Sequence, residues 1–184
     1  MVYLALACRC LVGVTFLVSA SGKLRSRRAF LAFVSWLAAL PLPLVRGRPG
    51  PVAAVLAAAE ALVVVLVALP WTVRPGLLLA ALLLAVFTAG TWLAVARGAN
   101  TPCQCFGVAA APLGRRHVVR DAVLGAAAVA GAAAYPAGAR PAAAAASLAA
   151  GLVAALFVVF LDDLAALFSR PGEPAPQPEF GDHR

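Results

Sequence analysis

An all-α bundle of helices embedded in a membrane is the fold this sequence predicts, and three observations predict it. Of 184 residues, 64% are hydrophobic and 12% are charged, and the mean hydropathy is +0.96. A soluble domain carries roughly 25% charged and about 45–50% apolar residues, so there is too little polar surface here to cover a water-soluble globule. Second, the apolar residues fall into runs near the ~20 residues with which a helix crosses ~30 Å of hydrocarbon. In lipid a backbone must satisfy its own hydrogen bonds, which selects helices over open strands. Third, the basic residues behind a formal net charge of +8 stand between those runs. Charges placed so flank a membrane, which favours lipid headgroups over nucleic acid as their partners.

The elements follow in chain order. Residues 2–22 are apolar except for Arg9. Val18-Ser19-Ala20 resembles a signal cleavage site, but no basic residue precedes the run and Arg9 interrupts it, so a retained first helix is expected. Residues 29–45 are uncharged but short, and Pro41 and Pro43 break their end. A short interfacial or re-entrant helix that does not cross is expected there. Residues 51–69 form a span broken only by Glu60, and residues 76–96 one without charge. Residues 122–139 form another, with Arg120 and Asp121 just before it, and residues 142–161 the last. The expectation is four to five transmembrane helices in one domain, residues 1–168, followed by a Pro- and Gly-rich disordered tail, residues 169–184. The protein is then a multi-pass protein of the cell membrane.

With five spans, Lys23, Arg25, Arg27, Arg28, Arg46, Arg48, Arg97, Arg115, Arg116, Arg170 and Arg184 share one side, against Arg74 and Arg140 on the other. That bias marks the first side as cytoplasmic. If residues 29–45 crossed as well, the later loops would change sides and the bias would nearly vanish.

The chemistry is concentrated in one loop, residues 100–117, which reads NTPCQCFGVAAAPLGRRH. Thr101-Pro102 before the cysteines and Gly107 after them signal a turn. Cys103 and Cys105 admit four readings. Buried cysteine packs as a small hydrophobe, but a polar-flanked loop is a poor place for packing. A C-x-C pair closes a strained disulfide ring of the easily reduced, functional kind. The two thiolates also suit a soft metal with His117 as a third ligand, although no metal is assigned. Finally, such a pair can do no more than staple its loop. Thiol–disulfide chemistry is the favoured reading. Arg115, Arg116 and Arg120 either lower the thiol pKa or simply anchor the membrane edge. A second C-x-C, Cys8 and Cys10, lies inside the first span. Residues two apart on a helix point ~200° from each other, so these are read as packing residues, with a relay that passes electrons toward the core as the alternative.

Arg9 and Glu60 each sit near the middle of a span, where an unpaired charge is costly. The simplest arrangement pairs them across the first two crossing helices. The pair then either locks helix register or lines a proton or cofactor site beneath the cysteine loop; the cofactor is unassigned, with a quinone as the candidate. Asp162 and Asp163 are expected to reach the headgroups. Trp36, Trp71 and Trp92 fit interfacial belts. Gly125, Gly131 and residues 142–146 give faces that let helices approach closely.

Several of these residues together resemble the MauE family (methylamine utilisation protein E), which belongs with the DoxX-like membrane proteins. They are Arg9-x-Leu11-x-Gly13-x-x-Phe16, Ser21-Gly22-Lys23-Leu24, Glu60, Cys103-Gln104-Cys105-Phe106-Gly107, Pro112-Leu113-Gly114 and Arg120-Asp121. The resemblance spans residues 1 to about 165, and its most specific part is the C-x-C-F-G loop. Where the family often has Arg-Asn, this chain has Arg120-Asp121. The resemblance implies thiol–disulfide work at a membrane, in the maturation of a partner protein alongside a thioredoxin-like protein. It implies Cys103 and Cys105 as the reactive pair, with Arg9, Lys23, Glu60, Phe106, Gly107 and Arg120 in support. The layout is also similar to quinone-linked enzymes of the vitamin K epoxide reductase type, whose cysteines face away from the cytoplasm, against the charge bias here. Two other classes stay open: an assembly subunit whose loop docks a partner without redox chemistry, and a soft-metal handler. No nucleotide loop, H-E-x-x-H or serine nucleophile motif is present.

Overall fold

Every described segment of backbone that forms an element is a helix. The computed structural model describes residues 2–40, 45, 47–97, 115–134 and 141–168, with side chains for all of these except 2, 141–144 and 161–168. The order is α1 (Val2–Leu24), α2 (Arg27–Ala39), α3 (Pro49–Ala68), α4 (Val73–Ala96), α5 (Arg115–Ala133) and α6 (Pro141–Phe168). The expected all-α membrane bundle, with a short helix after the first span, is therefore the fold. Among the described residues three helices are long and apolar enough to cross a membrane, over Tyr3–Leu24, Pro49–Ala68 and Val73–Ala96. In α6 the apolar stretch Ala145–Phe160 is shorter. The tail expected to be disordered lies outside the described residues.

Local chemistry sets the helix ends. Ser26 caps α2, its hydroxyl accepting from the Ala29 amide at 3.1 Å. With 13 residues α2 is ~20 Å long, too short for the hydrocarbon core. It lies instead across one end of the bundle, where Phe33, Leu37 and Leu40 pack with Ala53 of α3 and Ala94 of α4. Pro49 opens α3, where its missing N–H is harmless. The α3–α4 hairpin turns tightly, and the Thr72 hydroxyl donates to the Leu66 carbonyl at 2.7 Å.

Helix α5 begins seven residues earlier than the uncharged run 122–139 implied, so Arg120 and Asp121 lie within it and are buried. The pair neutralises itself, with Arg120 Nε 3.1 Å from Asp121 Oδ1, which removes the reason for a helix boundary there.

The core runs between α1, α3, α4 and α5 through Val12, Phe16, Val63, Val67, Leu77, Leu84, Leu124 and Ala128. Side-chain neighbours fix an antiparallel order: Leu84 faces Gly125 while Leu77 faces Gly131. Gly131 is needed for close approach, because a Cβ there would stand 2.8 Å from the Cys8 Cβ. Gly151 does the same for α6, where a Cβ would meet the Cys10 Cβ at 2.8 Å. Cys8 and Cys10 are free cysteines at these two seams. The antiparallel order brings the C-termini of α1 and α4 and the N-termini of α3 and α5 to one end, the end that α2 covers.

A buried charge cluster and its cavity

Three of the polar residues that this fold buries, Ser19, Lys23 and Glu60, meet between α1 and α3. Lys23 is in the last turn of α1 and Glu60 is midway along α3. Their Nζ and Oε1 are 2.7 Å apart, and they are 5% and 1% exposed. Lys23 Nζ also donates to Glu60 Oε2 at 2.8 Å and to Ser19 Oγ at 2.7 Å, and the Ser19 hydroxyl donates to Glu60 Oε2 at 3.3 Å. Helical side chains lean toward their own N-terminus. On antiparallel α1 and α3 this tilts Lys23 inward and Glu60 outward, so they converge from different levels. Ser19 and Lys23, four residues apart, share a helix face. The ammonium also sits 5.0 Å from the centroid of the Phe33 ring, a cation–π contact that ties α2 to the pair.

The pairing expected from sequence, Arg9 with Glu60, does not form. Arg9 Nε donates to the Val67 carbonyl at 2.8 Å and Nη2 to the Ala68 carbonyl at 2.7 Å. Arg9 therefore caps the last carbonyls of α3, groups that a helix leaves unsatisfied and negative. The cause is again the tilt: Arg9 leans away from Glu60, toward an α3 end that lies seven residues, or ~10 Å, beyond it. Counting residues from the ends of apolar runs placed both charges near mid-span and could not show that stagger.

Beside the cluster is a cavity of about 350 Å³ whose walls come from α1 to α5. Phe16, Phe33, Trp36, Leu56, Phe87 and Leu124 are among its apolar lining residues, and Ser19, Lys23, Glu60, Arg120 and Asp121 also line it. The structure thus gathers Lys23, Glu60 and Arg120 at one site and leaves Arg9 elsewhere. Trp36, expected in an interfacial belt, stacks on Phe33 with ring centroids 6.0 Å apart. Its Nε1 is buried and has no hydrogen-bond partner among the described residues. Trp71 and Trp92 are exposed. Sequence reasoning missed Ser19 and Trp36; the Ser19/Lys23 spacing was the available signal for the first. His117, weighed as a third metal ligand, is buried in α5.

Cys103, Cys105, Phe106 and Gly107 lie outside the described residues. The chain enters their segment from the end of α4 and leaves it into α5. Thr91 and Leu93 of α4, and Arg120 of α5, belong to the cavity wall, so both anchors of the segment stand at the cavity's end of the bundle.

The model of the methylamine utilisation protein MauE family matches residues 1–134, well over half of the chain. The chain belongs to the MauE family. It is a membrane protein of a family named for methylamine utilisation. The match covers α1 to α5 with the cysteine segment and the residues of the cavity, and ends before α6, short of the residue ~165 to which the resemblance extended. No curated protein and no solved structure matches the chain.

Proposed function

We propose that this MauE-family protein is a membrane thiol–disulfide exchange protein whose reactive pair is Cys103 and Cys105. One observation supports the reading: the C-x-C-F-G segment connects α4 to α5, and both helices contribute residues to the wall of a charge-bearing cavity. A thiolate of the pair attacks a disulfide in a thioredoxin-like partner and forms a mixed disulfide. The second cysteine then displaces the partner, which leaves with two thiols while the loop holds the disulfide. One disulfide is exchanged for another with no net loss of electrons, and the relative potentials set the direction. Lys23, Glu60 and Ser19 hold α1 against α3, and Arg120 brings α5 to the same cavity wall. In the amine-utilisation setting of the family name, the exchange serves maturation of a disulfide-bearing protein.

Lys23, Arg25, Arg27, Arg28, Arg48, Arg97, Arg115 and Arg116 gather near the cavity's end, which supports a cytoplasmic face for the loop. Trapping tests the proposal. A Cys105→Ser variant loses the resolving thiol and should accumulate a reductant-sensitive conjugate through Cys103, absent from the Cys103→Ser/Cys105→Ser double variant. Full function in both single variants with no conjugate would instead favour an assembly subunit that docks without redox chemistry.

A further inference from the structure

The cavity has a composition that narrows what it can hold. Its volume of about 350 Å³ is in the range of small-molecule sites, roughly 300–1,000 Å³. Its charges are balanced: Lys23 faces Glu60, and Arg120 faces Asp121. Lys23 directs its donors to both Glu60 oxygens and to Ser19. A fatty-acid carboxylate or a phosphate would enter a site whose two cations are each already paired with a carboxylate, so a neutral occupant is favoured. One donor is left over. The Trp36 Nε1–H is buried with no acceptor among the described residues, and indole nitrogen can only donate. Buried donors of native proteins nearly always have an acceptor. A hydrocarbon chain offers none. The rings of Phe33 and Trp36 are stacked with an interplanar angle of 17°, and Phe16 and Phe87 also line the wall, so the site presents aromatic faces that suit a flat ring.

We propose that this cavity binds a neutral, lipid-soluble molecule whose flat ring bears a carbonyl, the chemistry of a quinone, with that carbonyl accepting from Trp36 Nε1. The binding stands on the cavity alone; the electron-transfer role rests on the thiol–disulfide reading. In that role the exchange runs in reverse, a partner dithiol reducing the loop disulfide, and the Cys103 and Cys105 thiols so formed lose two electrons and two protons to become a disulfide again. The ring gains both and becomes a hydroquinone.

Binding is measured on the full chain in detergent with decylubiquinone as the probe, by counting the quinone retained per protein after gel filtration. Saturable binding is expected, and 1-decanol, which has the same tail without the ring, should not compete. Trp36→Phe keeps an aromatic ring and removes the donor; it should weaken binding about tenfold, the effect of losing one hydrogen bond of ordinary net strength. Leu56→Trp adds bulk to the wall and should block binding. The Cys103→Ser/Cys105→Ser double variant should bind like the parent chain, so failure of the redox reading and failure of the site are separable. Equal affinity in Trp36→Phe, intact binding in Leu56→Trp, or competition by 1-decanol at the quinone's own concentration would each overturn the assignment.

Discussion

Replacing Lys23 with methionine keeps a long unbranched side chain and removes one charge from the buried pair. Glu60 is 1% exposed, so the carboxylate left behind has no water to turn to. The Lys23 ammonium makes three hydrogen bonds, at 2.7, 2.7 and 2.8 Å, and methionine can make none of them. All three are short, and the two to Glu60 join opposite charges. Exposed ion pairs are worth about 0–1 kcal/mol, but removing one partner of a buried pair costs about 3–5 kcal/mol because the other charge is stranded. The Lys23→Met protein should therefore unfold with a stability lower by about 3–5 kcal/mol, read by denaturant titration in micelles. Lys23→Met/Glu60→Met removes both charges and should recover most of the loss, since apolar replacement of a whole buried pair is often neutral or stabilising. A single variant within about 1 kcal/mol of the parent, or a double variant no better than the single one, would refute the claim that this pair joins α1 to α3.

Other outcomes follow from the same geometry. Arg9→Met should destabilise the protein by about 1–3 kcal/mol by stranding the Val67 and Ala68 carbonyls, and Arg9→Lys should recover only part, because a point-like ammonium cannot reproduce the fork; thermal melting in detergent reads both. Gly131→Val places a branched side chain where even a Cβ would be 2.8 Å from the Cys8 Cβ; overpacking of this kind costs about 1–3 kcal/mol, seen as a lower midpoint, with Cys8→Gly in the same chain giving partial rescue. Cys8→Ala/Cys10→Ala should leave mixed-disulfide trapping by Cys105→Ser unchanged, since both residues sit at helix seams; loss of trapping at normal stability would make them part of the electron path.

Much of the fold was legible because lipid leaves the backbone few options. The long apolar runs became α1, α3 and α4, and the two prolines after residue 40 marked a helix too short to cross. The start of α5 was misplaced because Arg120 and Asp121 look like a boundary when read separately, whereas side by side they cancel and can be buried. The charge cluster was half legible. Glu60 and Lys23 both stood out, the first as a carboxylate in an apolar run and the second within a family motif, but Glu60 was joined to Arg9. Pairing depends on the stagger of antiparallel helices and on the lean of each side chain, and neither is encoded in spacing along one helix. Trp36 was assigned to a membrane belt because tryptophan composition says where the residue type prefers to be; its inward turn follows from stacking on Phe33 of the same helix.

The most direct measurement follows the thiols themselves. In intact cells, free thiols are blocked with a membrane-impermeant or a membrane-permeant reagent. The protein is then reduced and labelled with a mass tag, with Cys8→Ala/Cys10→Ala as the background so that only Cys103 and Cys105 report. The account predicts a fraction carrying two tags that grows under oxidant, shrinks under reductant, and disappears in Cys103→Ser. Two thiols that stay fully blocked under every condition, or never react at all, would contradict it.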